Sequence, residues 1–191
     1  MNPYVLLAKQ AVETYTKEGK IIEPSKDLPE DLLKRTAGVF VTINKSNELR
    51  GCIGTYLPTK INIAEEIIHN AISASTEDYR FEQIKEEDLP YLSYDVYILN
   101  YPEPVKDKKE LDPKKYVVIV KTGPFTFPDE EESSFEGDIP YKTGLLLPDL
   151  EGVNTPEEQI YIACQKGGID YKIEKLFIYK FSVEKYEEKE K

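Results

Sequence analysis

The sequence predicts an α+β fold for this chain of 191 residues. Three observations predict it: helical and strand-like segments both occur, neighbouring strands are joined as in hairpins, and no regular strand–helix–strand alternation runs along the chain. Apolar residues make up 40% of the chain and charged residues 32%, a composition typical of globular proteins. The length suits one well-packed domain better than two independent cores.

The first helix is predicted from its end signals. Asn2 and Pro3 have the residue types of an N-cap and a first helical position, apolar residues then recur at helical spacing, and Gly19 suits the end of a helix. Residues 20–37 form a connection that contains proline, with room for one short helical turn after Pro29.

A β-hairpin and a second long helix follow. The runs 38–45 and 48–57 are rich in β-branched residues and flank the polar pair Ser46-Asn47, which predicts two paired strands. Pro58 ends the second strand. The amphipathic helix after it has its apolar face formed by Ile63, Ala64, Ile67, Ile68, Ala71 and Ile72.

The second half of the chain predicts three separate strands, a helix and a last strand. Strands are expected over 92–100, 116–123, 143–148 and 175–186, with a charged loop over 101–115. A helix is expected to begin at Thr155-Pro156, where Glu158 completes a capping box, and to end at Gly167-Gly168.

These elements define a predicted domain organisation. One domain covers 1–185, within which 57–91 is a helical subdomain and 123–142 an acidic insertion loop, and 186–191 is a charged tail. Six acids of this loop fall in the stretch 129–138, with no base among them. Long loops of this kind are either solvated insertions or functional lids and docking segments, and both interpretations stay open.

Charge and hydropathy restrict the classes of partner. The net charge of −11 makes nucleic acid and anionic membranes poor partners, because both bind basic patches. No apolar run approaches the roughly 20 residues that span a bilayer. The N-terminal segment lacks a basic start and a cleavage site, so we expect a cytoplasmic protein. Heavy use of Lys and Glu is typical of thermophile proteins.

Cysteine and histidine counts restrict the chemistry. Cys52 and Cys164 do not form a C-x-x-C pair, and His69 is the single histidine. The sequence therefore predicts no zinc site, no Ser-His-Asp triad, no metal and no cofactor, although a site made of carboxylates alone stays open. We expect Cys164 to lie in the core, and His69 and Gln159 to be exposed to solvent.

The stretch ELRGCIGTYL, 48–57, contains one of only three arginines in the chain. Strand alternation places Arg50, Cys52 and Gly54 on one face, with Gly54 leaving space beside the thiol. Gly51, on the other face, allows another backbone to approach. Arg50 could lower the pKa of Cys52 or hold a carboxylate or phosphate. The alternatives are a buried, inert Cys52, an ion pair of Arg50 across the sheet, and glycines that only mark a bulge.

Several motifs in order along the chain resemble those of the AMMECR domain family, whose hallmark is LRGCIG. The matching segments are GVFVTI at 38–43, LRGCIGTY at 49–56, Asn70-Ala71, the sequence DYRF at 78–81, GLLLP at 144–148 and TPEEQIYIACQKGGI at 155–169. The resemblance implies a mainly antiparallel sheet with flanking helices, a smaller helical subdomain and a cleft between them. Bacterial and archaeal members of the family often occur with a Memo-like protein and a radical S-adenosylmethionine (SAM) protein in the AmmeMemoRadiSam system.

The resemblance adds a second motif to the candidate site. We hypothesise that Arg50 and Arg80 line one cleft for a small anionic ligand, with Gly51 and Gly54 beside them. Asp78 would orient Arg80, and Phe81 would pack beneath it. The alternative is that residues 78–81 form a structural turn without a ligand.

Three functions remain after these arguments. The first is a ligand-binding protein, whose candidate catalytic residue is Cys52 if it is an enzyme. The second is a docking or substrate-carrier module for the radical SAM and Memo-like partners. Nucleic-acid binding ranks last because of the charge. Whether the protein is an enzyme, and whether it is a monomer or a homodimer, is left open by the sequence.

Overall fold

The computed structural model describes residues 2–124 and 141–188. A mainly antiparallel sheet and four helices form an α+β fold, which confirms the predicted fold class. The chain divides into two compact units, residues 1–100 with 184–191, and residues 101–183.

The elements of each unit follow the chain. The first unit contains α1 (Pro3–Glu18), α2 (Glu30–Lys34), β1 (Gly38–Lys45), β2 (Glu48–Thr55), α3 (Ile63–Thr76) and β3 (Leu92–Leu99). The second contains β4 (Glu103–Pro104), β5 (Tyr116–Lys121), β6 (Thr143–Leu146), α4 (Pro156–Lys166) and most of β7 (Phe177–Glu187). Short 3-10 helices cover Leu89–Tyr91 and Lys108–Glu110.

In the first unit, β1 lies between β2 and β3 and pairs antiparallel with both. The hairpin turn has Ser46 and Asn47 at φ 53° and 67°, the left-handed conformation that two-residue hairpin loops favour. Helices α1 and α3 contact each other and the sheet, and α3 contacts both strands of the hairpin. The buried core combines the inner face of the sheet with the apolar faces of these helices.

The ends of α1 are those predicted from the sequence. The side chain of Asn2 accepts a hydrogen bond from the backbone N–H of Tyr4 at 3.0 Å. Gly19 ends the helix at φ 67° and donates its N–H to the carbonyl of Tyr15. Both ends therefore satisfy backbone groups that a helix leaves without partners.

Residues at the two ends of the chain meet within the first unit. The rings of Tyr4 and Tyr186 stack with centroids 4.0 Å apart. Arg35 donates to Asn100 at 2.6 Å and to Glu184 at 2.8 Å. These contacts explain why residues 184–188 belong to the first unit although β7 begins in the second.

In the second unit, β5 lies between β6 and β7, and β4 pairs with β7. Helix α4 contacts β5 and β6, and Thr155 and Glu158 form the predicted capping box at its start. A Cβ atom on Gly144 would lie 1.8 Å from the carbonyl oxygen of Ala163, so glycine is needed where β6 meets the helix. The loop predicted over 101–115 is more regular than expected, since it contains β4 and a 3-10 helix.

Two side chains of α4 show how far the helical pattern predicts burial. Cys164 is fully buried, as predicted, and burial raises the pKa of its thiol. The exposure predicted for Gln159 is wrong: the side chain is fully buried and donates to the carbonyl of Tyr116 at 2.7 Å. The amide nitrogen thus satisfies a backbone carbonyl of the neighbouring strand, whereas the buried amide oxygen accepts no hydrogen bond from the described residues.

The predicted acidic loop, 123–142, lies mostly outside the described residues, since 125–140 are not among them. The predicted tail, 186–191, overlaps the end of β7, and its last three residues are also outside the described part. The helical subdomain at 57–91, which holds α3, stays a prediction.

Candidate functional site

A β-bulge at Arg50 interrupts the side-chain alternation of β2. Ile43 pairs with Gly51 and Asn44 pairs with Leu49, so Arg50 is the extra residue of the β2 strand. The alternation predicted for this end of the strand is therefore wrong, because a bulge interrupts it. Leu49, which uninterrupted alternation would place on the same face as Gly51, is 42% exposed.

The guanidinium of Arg50 binds the segment that follows α3. It donates to the backbone carbonyls of Glu82 and Gln83, and one nitrogen lies 3.7 Å from a carboxylate oxygen of Asp88. Asp88 is buried and also accepts a hydrogen bond from Lys45. This bond is the largest cause of the lowered pKa of Asp88. Arg50 therefore holds the 82–88 segment against the hairpin, and the acid it pairs with comes from this segment.

Gly51 allows the close approach of a backbone, as predicted. A Cβ atom at this position would lie 2.2 Å from the carbonyl oxygen of Ala74 in α3. No side chain fits between the strand and the helix at such a distance. The second glycine of the motif, Gly54, does not leave the predicted space beside the thiol, because the ring of Phe40 on β1 lies across it.

Cys52 lies on the outer face of the hairpin and is half-buried. Its register partner on β1 is Thr42, whose hydroxyl donates to the Cys52 sulfur at 3.2 Å. The backbone N–H of Cys52 donates to a carboxylate oxygen of Asp78 at 2.8 Å. The sulfur of Cys52 is thus contacted by the neighbouring strand, and its backbone N–H by the 78–81 turn.

The 78–81 turn is organised around the buried carboxylate of Asp78. Arg80 donates to it from Nε at 2.9 Å and from Nη2 at 2.7 Å, a two-pronged contact. The bond with Arg80 is the largest cause that lowers the pKa of Asp78 to about 2, and the amide of Cys52 adds to it. The guanidinium also lies 5.3 Å from the centroid of the Phe81 ring. The contacts predicted for Asp78 and Phe81 with Arg80 are present.

Arg80, and not Arg50, is the guanidinium beside Cys52. Its Nη2 atom lies 3.5 Å from the Cys52 carbonyl oxygen. The Asp78 bond is the largest cause that raises the pKa of Arg80, and an electrostatic interaction with Cys52 also contributes. The structure thus brings Cys52, Asp78, Arg80 and Phe81 together, and places Arg50 in a separate set of contacts.

A buried carboxylate supports the hairpin from α3, and the sequence interpretation did not include it. Glu66 is fully buried and accepts from the hydroxyl of Thr55 at 2.7 Å and from the amides of Thr59 and Lys60 at 2.7 and 2.8 Å. The side chain of Asn70, one turn later, donates to the carbonyl of Val39 at 3.0 Å. Glu66 and Asn70 could have been found from the sequence, because an acid and an amide stand four residues apart on a helix face that is otherwise apolar.

Replacing Glu66 tests this support. We expect Glu66→Gln to lower the free energy of unfolding by about 2 kcal/mol, because the amide nitrogen replaces an acceptor among buried donors. The neighbouring Glu65→Gln, at a position whose carboxylate has no such bonds among the described residues, should cost less than about 0.5 kcal/mol. Urea unfolding of both variants measures the difference. Equal effects would contradict the role of Glu66.

The described residues show neither a metal-binding cluster nor a membrane-spanning helix. Among them no group of three or more His, Cys, Asp or Glu side chains is arranged to hold a metal ion. In the same part of the chain, none of the helices has both the length and the apolar character needed to cross a membrane.

Comparison with known proteins assigns the family. The AMMECR1 family model matches residues 5–186. A Thermotoga maritima protein is 48% identical over 97% of each chain. A Clostridium acetobutylicum protein is 43% identical over 93% of this chain, which spans only 35% of that relative.

A solved structure agrees with the assignment. The crystal structure of an uncharacterized protein from Pyrococcus horikoshii has a TM-score of 0.78 and is 32% identical, covering 97% of this chain and 89% of that one. The match to the family model over nearly the whole chain, together with these likenesses, shows that the protein belongs to the AMMECR1 family.

Proposed function

We propose that this protein binds a small anionic ligand on the outer face of the β1–β2 hairpin, between Cys52 and Arg80. The observation that carries the proposal is the fixed position of the Arg80 guanidinium: buried Asp78 holds one edge, while 44% of the Arg80 side chain remains exposed. A guanidinium oriented in advance binds a carboxylate or phosphate with little loss of side-chain entropy.

Arg80 has N–H donors that Asp78 does not use and that a second anion can accept from. A guanidinium carries five N–H groups; Asp78 accepts from Nε and Nη2, and the Cys52 carbonyl oxygen also lies 3.5 Å from Nη2. Among the described residues none accepts a hydrogen bond from Nη1. Because Asp78 already balances the charge of Arg80, we expect weak binding that depends on the directed N–H groups. This geometry favours Arg80 over Arg50, whose guanidinium is occupied by the 82–83 carbonyls.

A catalytic role for Cys52 is the further step of this proposal. A ligand bound to Arg80 would lie beside the Cys52 sulfur, which already accepts a hydrogen bond from Thr42. A thiolate close to a guanidinium is favoured over the thiol, and a thiolate is the nucleophilic form. The radical SAM and Memo-like proteins that accompany the family are the proposed suppliers or consumers of the ligand.

Exposed apolar groups favour a second candidate, a docking module for those partners. Tyr79 is 95% exposed although it stands between Asp78 and Arg80, and Leu49 on the neighbouring strand is 42% exposed. Exposed aromatic side chains beside an arginine are typical of binding surfaces between proteins. The same turn would then contact a protein instead of a small molecule.

Titration with simple anions tests the first candidate. Inorganic phosphate and malonate should cause saturable NMR shifts of the Cys52 amide and the Arg80 Nε–H in a ¹⁵N-labelled sample. Arg80→Gln should abolish the shift at Cys52, whereas Arg50→Gln, which removes the same charge, should retain it. If neither anion causes a saturable shift in the native protein, the anion site is refuted. The docking candidate would then be supported if the native protein binds the radical SAM or Memo-like partner and the Tyr79→Ala variant does not.

A further inference from the structure

A cavity in the first unit lies apart from the motif residues. It has a volume of about 720 Å³ and runs along α3 on a side that does not include Cys52, Arg50 or Arg80. Its size falls within the range of pockets that bind small organic molecules. Its lining residues come from α1, the 21–24 connection, α2, the segment before α3, and α3 with the residue that follows it.

One wall of this cavity has a polar stripe of α3. Glu65, His69 and Ser73 of α3, and Glu77 directly after its end, follow at intervals of four residues, so they lie along one inclined row of the helix surface. The stripe extends roughly 18 Å at 1.5 Å per helical residue. The cavity is therefore long enough for an extended small molecule.

The remaining surface is largely apolar. Ile68 and Ile72 of α3 line it together with Tyr15, Ile22 and Leu33 from the facing elements. At the rim, Ile21 is 68% exposed. An apolar side chain left in water beside an apolar cavity gains from being covered, which favours a ligand with an apolar body.

The charged side chains that line the cavity indicate which polar group such a ligand carries. Three carboxylates, those of Glu23, Glu65 and Glu77, line the cavity against the single ammonium of Lys60. Among the described residues none of these three carboxylates forms an ion pair or a side-chain hydrogen bond. The cavity thus has excess negative charge, in a protein whose net charge of −11 also attracts cations.

We propose that this cavity binds an organic cation, an ammonium or guanidinium group attached to a short aliphatic or aromatic body. The apolar body lies against Ile68 and Ile72, and the cationic group lies near Glu65 and Glu77. This inference does not depend on the proposed anion site, because the two sets of residues do not overlap.

Three ligands of one shape and different charge test the proposal. Phenethylammonium, neutral 2-phenylethanol and anionic 3-phenylpropionate are titrated into the ¹⁵N-labelled full chain at pH 7.5, and NMR shifts are followed at Ile68, His69 and Ile72. We expect saturable binding of the amine, about fivefold weaker binding of the alcohol, and weaker binding still of the carboxylate. Absence of amine binding, or equal binding of all three, overturns the proposal.

Matched variants locate the charge effect. Glu65→Gln should weaken amine binding about threefold, whereas Glu87→Gln, an exposed position outside the cavity with the same charge change, should leave it unchanged. Since both glutamates lie near the surface, neither substitution should unfold the protein, and the amide spectrum verifies this. Equal weakening in both variants would show a general charge effect and would overturn the site.

Discussion

Gly51→Ala is expected to lower the free energy of unfolding by about 3 kcal/mol or more. The added Cβ atom would lie 2.2 Å from the Ala74 carbonyl oxygen, which belongs to the backbone of α3 and cannot rotate away. The strand and helix must separate by about 1 Å to restore ordinary contact distances. Such a shift also loosens the packing of Ile53 and Ile67 between them.

The matched control for Gly51→Ala is Leu49→Ala on the same strand. That side chain is 42% exposed and makes no contribution to the buried core, so its truncation should cost less than about 1 kcal/mol. Chemical denaturation measured at one temperature compares the two. A cost for Gly51→Ala below that of Leu49→Ala would contradict the close approach of α3.

Asp78→Ala is expected to lower the free energy of unfolding by about 3 kcal/mol at neutral pH. The substitution removes the acceptor of two Arg80 donors and leaves the Cys52 amide without its partner. Because the Arg80 side chain is 44% exposed, water replaces part of what is lost, and the cost stays below that of a fully buried pair. Thermal or urea unfolding measures the effect.

This stabilisation should depend on pH in one direction. The folded-state pKa of Asp78 is lowered to about 2 from the ordinary 3.8, so folding favours the ionised form. The contribution is complete above the unfolded pKa and is lost as the pH falls from 3.8 towards 2. The difference between native protein and Asp78→Ala should therefore shrink by about 1–2 kcal/mol across this window. A difference that grows on acidification would contradict the assignment.

Most of the fold could be predicted because its signals are local. Asn2, Gly19 and Thr155 mark helix ends through their own backbone or side-chain bonding, and Ser46-Asn47 marks the hairpin turn. Each of these signals depends on residues close in sequence. Gln159 was misassigned because its partner, the carbonyl of Tyr116, comes from a distant strand.

The site was predictable only in part, for the same physical reason. The motif identified Cys52 and the 78–81 turn, and Gly51 predicted a backbone approach that the structure confirms. One extra residue in β2 interrupts the alternation at Arg50, and simple alternation cannot show a bulge. The arginine of the LRGCIG motif binds the 82–88 segment, and Arg80 is the guanidinium next to the backbone carbonyl of Cys52.

The most direct test of the proposed site compares two alkylating reagents at Cys52. In a Cys164→Ser background at 0.15 M salt, iodoacetate carries the negative charge that Arg80 should attract, and iodoacetamide is its neutral counterpart. We predict that the ratio of the iodoacetate rate constant to the iodoacetamide rate constant is several-fold higher at Cys52 than for glutathione. Arg80→Gln should reduce this ratio to the glutathione value, and Arg50→Gln should leave it unchanged. A ratio no higher than that of glutathione, or one that both variants reduce equally, would contradict an anion site at Cys52 and Arg80.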